Sequence, residues 1–314
     1  MQPKIDLPVR KHYSDHLGLS FFDLSNVHYR ALVSGMTDEN RWHFEHNNIE
    51  SHLSFLQGWA PQVVQWSASL PFPPGSVHLD LGAGEGNLCY ILAKRGYNSI
   101  AVELSATILH SATLYQESIR RSAPNNSHLN LWVADIYDLP LDDSSVDFVT
   151  IKEVLHHLEN LDGLFQEISR VLKPNGVVYI WEPFYPSFGP LRWHLSTYVK
   201  PREIELGIHH IYHSYDDYNR LFDKWMSNFS IERRYHRTKI QHYLTRSRFF
   251  QGSIFTSGQI KPYDHSRFGE PQGRHSDRVQ IKPADFLHEE LLPKGLAMTR
   301  RRREYLDSLF VASS

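Results

Sequence analysis

The sequence predicts an α/β protein built on a mainly parallel sheet with helices on both faces. Two observations carry this expectation. Short β-branched or apolar runs alternate with helix-period patterns from residue 77 to residue 181, and three glycines, Gly82, Gly84 and Gly86, crowd directly behind the first of those runs. Strands separated by helices rejoin a sheet by crossovers and so become parallel neighbours. At 314 residues the chain suffices for one elaborated domain or two smaller ones.

Residues 1 to about 70 are aromatic and read as helical. In "HNNIESHLSFLQGW", Ile49, Leu53 and Leu56 recur at helical spacing while His52 and Gln57 face outward, which makes the segment amphipathic. The turn-rich "LPFPPGS" (70–76) ends this region. "VHLDL" (77–81) is the first strand of the alternation, and Leu88, Ile91 and Leu92 mark a helix that stops at Gly96. "SIAVEL" (99–104) is the second strand, followed by a helix through Ile108, Leu114 and Ile119. "LNLWVAD" (129–135) is the third and "VDFVTIK" (146–152) the fourth. Leu161, Leu164, Phe165, Ile168, Val171 and Leu172 then line a helix ending at "KPNG", before a fifth strand, "VVYIW" (177–181). Later, "SYDDYNRLFDKWMSNF" (214–229) is helical, with Tyr218, Leu221, Phe222 and Trp225 on one face, and "SIERRYH" (230–236) is a strand. Residues 257–285 are polar and read as a long irregular loop, and "GLAMTRRRREYLDSLF" as a last strand near 295–300 or a helix. The chain thus divides into 1–70, 71–183 and 184–314.

Composition narrows the function. The formal charge is −2, so no surplus of positive charge points to nucleic acid or another polyanion. Cys89 is the one cysteine, which excludes internal disulfides and a four-cysteine zinc site and suits a reducing compartment. "MQPKIDLPVRKHYSDH" lacks the apolar core of a signal peptide and no run reaches membrane-spanning length, so the expected location is cytoplasmic, without a membrane partner.

A helix that opens straight after a strand presents unpaired N–H groups, and glycine lets a ligand come close to them. The phosphate-cradling loop of nucleotide hydrolases needs Lys and then Ser or Thr after its last glycine; Asn87 and Leu88 stand there instead. A dinucleotide loop, G-x-G-x-x-G, needs its third glycine at 87, one residue beyond Gly86. What fits is D-x-G-x-G-x-G, with Asp80, Gly82, Gly84 and Gly86. Glu103 ends the second strand about twenty residues on, where an acid can accept both hydroxyls of a ribose. "ADI" (134–136), "SVDFVTIKEVLHHLEN" and "LFQEISRVLKPNGVVYIWEP" follow in order.

Together these motifs resemble the class I S-adenosylmethionine-dependent methyltransferases over roughly residues 75–185. The resemblance implies a Rossmann-like, mainly parallel seven-stranded sheet with an antiparallel last strand. It also implies an N-terminal helical lid over a small substrate and an insertion or extension after the fifth strand. The implied cofactor is S-adenosylmethionine. Asp80, Gly82, Ala83, Gly84, Gly86 and Asn87 would meet it at the loop, Glu103 and Leu104 at the ribose, Asp135 and Ile136 at the adenine, and Lys152 at the end of the fourth strand.

Methyl transfer from a sulfonium is a displacement, so the protein must align the acceptor, exclude water and often remove a proton. The candidate bases are His156 and His157, the first aligning with the catalytic histidine of small-molecule O-methyltransferases, and Glu182. Packing is the competing role for both histidines, and a surface carboxylate for Glu182. Tyr185, Trp42 and Tyr29 are candidate substrate contacts, with Phe21, Phe22, Phe44, Trp193 and Tyr198 as further lining or core residues. His209 and His213 lie four apart, but no partner completes a recognisable metal spacing, so no metal is expected. "TRRRRE" (299–304) reads as a solvated end. The motifs of base-amino and pyrimidine-carbon methylation and the aspartate of metal-dependent catechol-type enzymes are missing. The reading is therefore methyl transfer to O, N or C of a small metabolite. The alternatives are a non-methylating enzyme using the same cofactor pocket, or a cofactor-binding partner protein without catalysis.

Overall fold

The computed structural model describes residues 19–22, 49–122, 127–184, 211, 213–235, 252–262 and 291–311. The expected alternation is present. It runs β1 (Ser20–Phe21), α1 (Ile49–Gln57), α2 (Ala60–Ser67), β2 (Val77–Leu81), α3 (Asn87–Lys94), β3 (Asn98–Glu103), α4 (Ala106–Ser111), α5 (Thr113–Ser122), β4 (His128–Val133) and β5 (Val146–Lys152). A 3-10 turn (Leu155–His157), α6 (Leu161–Val171), β6 (Leu172–Phe184), α7 (Tyr215–Trp225), β7 (Met226–Tyr235), β8 (Gly252–Ile260) and α8 (Leu292–Val311) complete it.

The strands form one sheet in the order β1-β4-β3-β2-β5-β6-β8-β7. Pairing is parallel from β1 to β6 and antiparallel across β6-β8-β7. The seven-stranded, mainly parallel sheet expected from the sequence is therefore corrected to an eight-stranded mixed one. Every residue of β3 is buried, as a strand covered by helices on both faces requires. One core holds Leu79, Val102, Val149, Ile151, Phe165, Phe222 and Trp225; the other holds Leu88 to Ala93, Tyr115, Phe148 and Leu306. α6 starts where the Asn160 side chain accepts the Gly163 N–H, and α7 where Ser214 and Asp217 form a reciprocal cap.

Chain order runs outward from β2 to β4 on one side of the sheet, then returns to β5 and β6 on the other. The switch falls between β2 and β5, whose carboxyl ends open the crevice where such sheets take ligands.

Other expectations are corrected too. Within the N-terminal stretch read as helical, Ser20–Phe21 form a strand beside β4, and Phe22 lies 5.0 Å from the Trp132 ring. His52, expected outward, is buried. Residues 252–260 form β8 inside the sheet, so the part of the expected loop from 257 to 260 is strand; 263–285 lie outside the described residues. The helix after residue 214 ends at Trp225, and the strand expected at 230 begins at Met226. Of the two readings of the C-terminal segment the helix holds, as α8, but inside "TRRRRE", expected as a solvated end, Thr299 and Arg302 are buried. Among the described residues no helix is long and apolar enough to cross a membrane.

Candidate functional site

The registers bring the signature residues to one edge of the sheet. Leu81 pairs with Val102 and with Ile151, and Glu103 pairs with Val133. The glycine loop, Glu103 with Leu104, Asp135 with Ile136, and Lys152 therefore emerge side by side at the carboxyl ends of β2, β3, β4 and β5.

In the loop, Gly82 and Ala83 both donate backbone N–H groups to the Val102 carbonyl at 2.9 Å, which folds the chain back over β3. Gly82 has φ +69°, and a Cβ there would meet Val154 at 2.4 Å. Gly84 has φ +52°, and a Cβ there would meet nothing within 4 Å. Gly82 is thus dictated by packing, and Gly84 borders open space. Gly86 caps α3 in the left-handed region, and the Asn87 side chain accepts the Tyr115 hydroxyl at 2.5 Å.

Glu103 closes this loop. One carboxylate oxygen accepts the Gly84 N–H at 3.0 Å; the other accepts those of Leu104 at 2.7 Å and Ser105 at 3.2 Å. Its burial raises the pKa, while those three N–H groups pull it down. Asp135 is fully buried and accepts the Tyr137 N–H at 2.8 Å, bracing the turn after β4, and Ile136 belongs to the core beside it. The Lys152 ammonium sits 4.9 Å from the Trp59 ring, 5.5 Å from the Phe55 ring and 3.1 Å from a Glu153 carboxylate oxygen.

Asp80 faces a buried polar chain that the glycine pattern did not reveal. Thr150 Oγ1 donates to Asp80 at 2.5 Å, and His78 Nε2 lies 2.7 Å from Thr150 Oγ1. Since the threonine hydroxyl donates to Asp80, His78 donates from Nε2 and accepts from Ser99 Oγ at Nδ1, 3.1 Å away. Burial lowers His78 to about 3, which keeps it neutral, and raises Asp80 to about 7. The alternation along β2 and β5 held the signal, since His78, Asp80 and Thr150 share one face of the sheet.

After β5 the chain turns sharply at Glu153, φ +57°, into the 3-10 turn. Glu182, only 1% exposed on β6, accepts the Val154 and Leu155 N–H groups on one oxygen at 2.5 and 2.8 Å. Its other oxygen is 2.8 Å from His156 Nδ1. Desolvation raises Glu182 to about 7, against the pull of those backbone N–H groups. The carboxylate thus grips the histidine turn. The His157 ring centroid lies 4.0 Å from that of His156, and His157 is the more exposed of the two.

Tyr29, Trp42 and Tyr185 lie outside the described residues, as does His209; His213 is half-buried near Tyr218. No group of three metal-ligating side chains occurs among the described residues. Sequence reasoning also missed a cluster joining His52, Glu85 and Arg302.

Residues 79–180 match a family described as a methyltransferase domain. The chain is 28% identical over 187 residues to 2-phytyl-1,4-naphtoquinone methyltransferase of Trichormus variabilis, covering 55% of this chain and 79% of that one. It is 32% identical over 168 residues to demethylmenaquinone methyltransferase of Clavibacter sepedonicus, covering 54% and 64%. Similar relatives are thus matched over only part of their own length. Among solved structures, geranyl diphosphate C-methyltransferase from Streptomyces coelicolor superposes with a TM-score of 0.52 at 18% identity, covering 68% of this chain and 82% of that one. Haemonchus contortus phosphoethanolamine N-methyltransferase 2 gives 0.53 at 15% identity, covering 71% and 60%. At such identities the structural likeness speaks for the fold.

Proposed function

We propose that the chain, whose residues 79–180 match a methyltransferase domain, is an S-adenosylmethionine-dependent methyltransferase that acts on O, N or C of a small organic acceptor. The observation that carries this reading is the union of Gly84, open on its Cβ side, with the buried Glu103 that accepts its N–H. The Glu103 oxygen that accepts the Gly84 N–H has a second lone pair, so Glu103 can hold the loop and still accept one hydroxyl of the donor's ribose. Asp80, Gly82, Ala83, Gly86 and Asn87 shape the loop, Leu104 would flank the ribose, and Asp135 with Ile136, at the turn after β4, would hold the adenine. When bound, S-adenosylmethionine supplies an electrophilic methyl group on a sulfonium.

The protein's own contribution is alignment and proton handling. His156 is the base, and Glu182 is its positioning residue rather than a base or an amine-binding group, because it is buried and its oxygens hold the Val154 and Leu155 N–H groups and the His156 ring. With Nδ1–H turned to Glu182, Nε2 is the nitrogen that takes a proton from the acceptor. His157 borders the same opening. Lys152, Phe55 and Trp59 offer a cation framed by rings, which suits a small, partly apolar acceptor. We assign the acceptor to residues 1–70 and 184–314 on either side of the donor-binding core at 71–183, with Tyr29, Trp42 and Tyr185 as its candidate contacts. Among the described residues no feature favours a non-methylating reaction or a purely binding role.

The test is direct. Calorimetry should show S-adenosylhomocysteine binding and no NADH binding, and methyl-labelled donor with a metabolite extract should place label in a small product. NADH binding, or donor binding with no labelled product, overturns the reading.

A further inference from the structure

We propose that Arg302, on the C-terminal helix, is a positioning residue of the donor site: it holds Glu85 of the glycine loop against His52 of α1, so that docking of α8 and donor binding are linked. This rests on the reading of the glycine loop as the donor site.

Three residues from the beginning, middle and end of the chain meet beside the loop. Arg302 and His52 are each 4% exposed. Arg302 pairs with Glu85, which lies between Gly84 and Gly86, and donates to His52 Nδ1 at 2.5 Å. A guanidinium has only donors, so that histidine nitrogen accepts and the ring is neutral. The cluster therefore holds one cation and one anion, and the His52 nitrogen lies 3.9 Å from Glu85. Burial lowers Arg302 to about 10, which leaves it charged at neutral pH.

Glu85 also passes the contact onward. The Asn87 side chain reaches it at 3.4 Å, and Asn87 in turn accepts from Tyr115. Tyr115 stacks on Tyr90, whose hydroxyl donates to Asp307, back on α8, at 2.8 Å. Lys94, at the end of α3, reaches the same Asp307 at 3.2 Å. α8 thus grips both ends of α3, the helix that the glycine loop opens, while its buried Met298 and Leu306 stand one turn either side of Arg302. Removing Arg302 leaves Glu85 without its cation one residue from the glycine that borders the open space.

The test uses the full chain and S-adenosylhomocysteine as probe. Arg302→Leu should weaken its binding about tenfold, within the range usual for coupled sites. Arg302→Lys should recover much of the loss, and Glu85→Gln/Arg302→Leu should lose no more than the worse single variant. Hydrogen exchange across residues 292–311 of the unaltered protein should slow when the probe binds, a readout available even if Arg302→Leu fails to fold. Unchanged affinity in Arg302→Leu, with only a lowered unfolding midpoint, makes the residue merely structural and overturns the proposal. So does exchange in α8 that ignores the probe while α3 responds. If the unaltered chain binds no S-adenosylhomocysteine, the donor reading itself falls.

Discussion

Asp80 shows how one buried carboxyl ties stability to pH. Its pKa is raised to about 7 by burial, whereas an unfolded aspartate titrates near ~3.9. Between those values the folded protein keeps a proton that the unfolded chain has released. The stabilisation is fully present below the unfolded value and is lost as pH rises through 7. Asp80→Asn, which accepts from Thr150 but cannot ionise, should therefore gain stability relative to the unaltered protein as pH rises from about 5 to 8. Denaturant midpoints at several pH values check this, and parallel profiles would remove Asp80 from the account. Glu182 offers a different single-atom test. In Glu182→Gln the amide oxygen can keep the Val154 and Leu155 N–H groups, which turns the NH2 toward His156 Nδ1 and moves the ring proton to Nε2. The variant should fold, bind S-adenosylhomocysteine normally and lose about a hundredfold or more in turnover. Ring nitrogen shifts read the tautomer independently of activity. Glu182→Ala instead strands buried N–H groups at about 1–3 kcal/mol each and should lower stability as well.

The glycine loop separates two requirements that a sequence pattern cannot. Gly82→Ala drives a methyl into Val154, at 2.4 Å, and should abolish soluble folded protein or lower the unfolding midpoint sharply. Gly84→Ala meets open space, so its folding cost is confined to the left-handed backbone, about 1–2 kcal/mol. It should fold yet lose at least about tenfold in S-adenosylhomocysteine affinity, because the methyl enters the ligand's space. Equal affinities in calorimetry would place the donor elsewhere. The five parallel strands of the alternation and their helices were legible because burial on both faces writes long apolar runs. β8 was not. Its inward residues are Ile254, Thr256 and Gly258, and the last is small because Phe229 packs where a side chain would stand. β1 escaped because two residues have no period, and α8 was ambiguous because its run of arginines hides Arg302 among exposed neighbours.

At the scale of the molecule, the donor-side residues were legible because each sits at a strand end set by sequence spacing. The groups that support them were not, because Glu182 with the histidine turn, and Arg302 with Glu85, are joined only by tertiary structure. Cys89 makes that long-range organisation measurable. It is fully buried on α3, directly behind the glycine loop, and its thiol is pushed far above the usual range by burial beside Asp80. A thiol so placed reacts only when α3 opens, and α3 is covered by the sheet, by α2 and by contacts from α8, so opening amounts to global unfolding. Labelling should then track the open population. S-adenosylhomocysteine at one hundred times its Kd should slow it about a hundredfold, corresponding to about 2.7 kcal/mol, if the ligand binds the folded form alone. A rate that falls with ligand at Cys89 while loops far from the crevice still exchange freely would mark local opening of α3. A rate indifferent to ligand would mean that the glycine loop does not hold the donor.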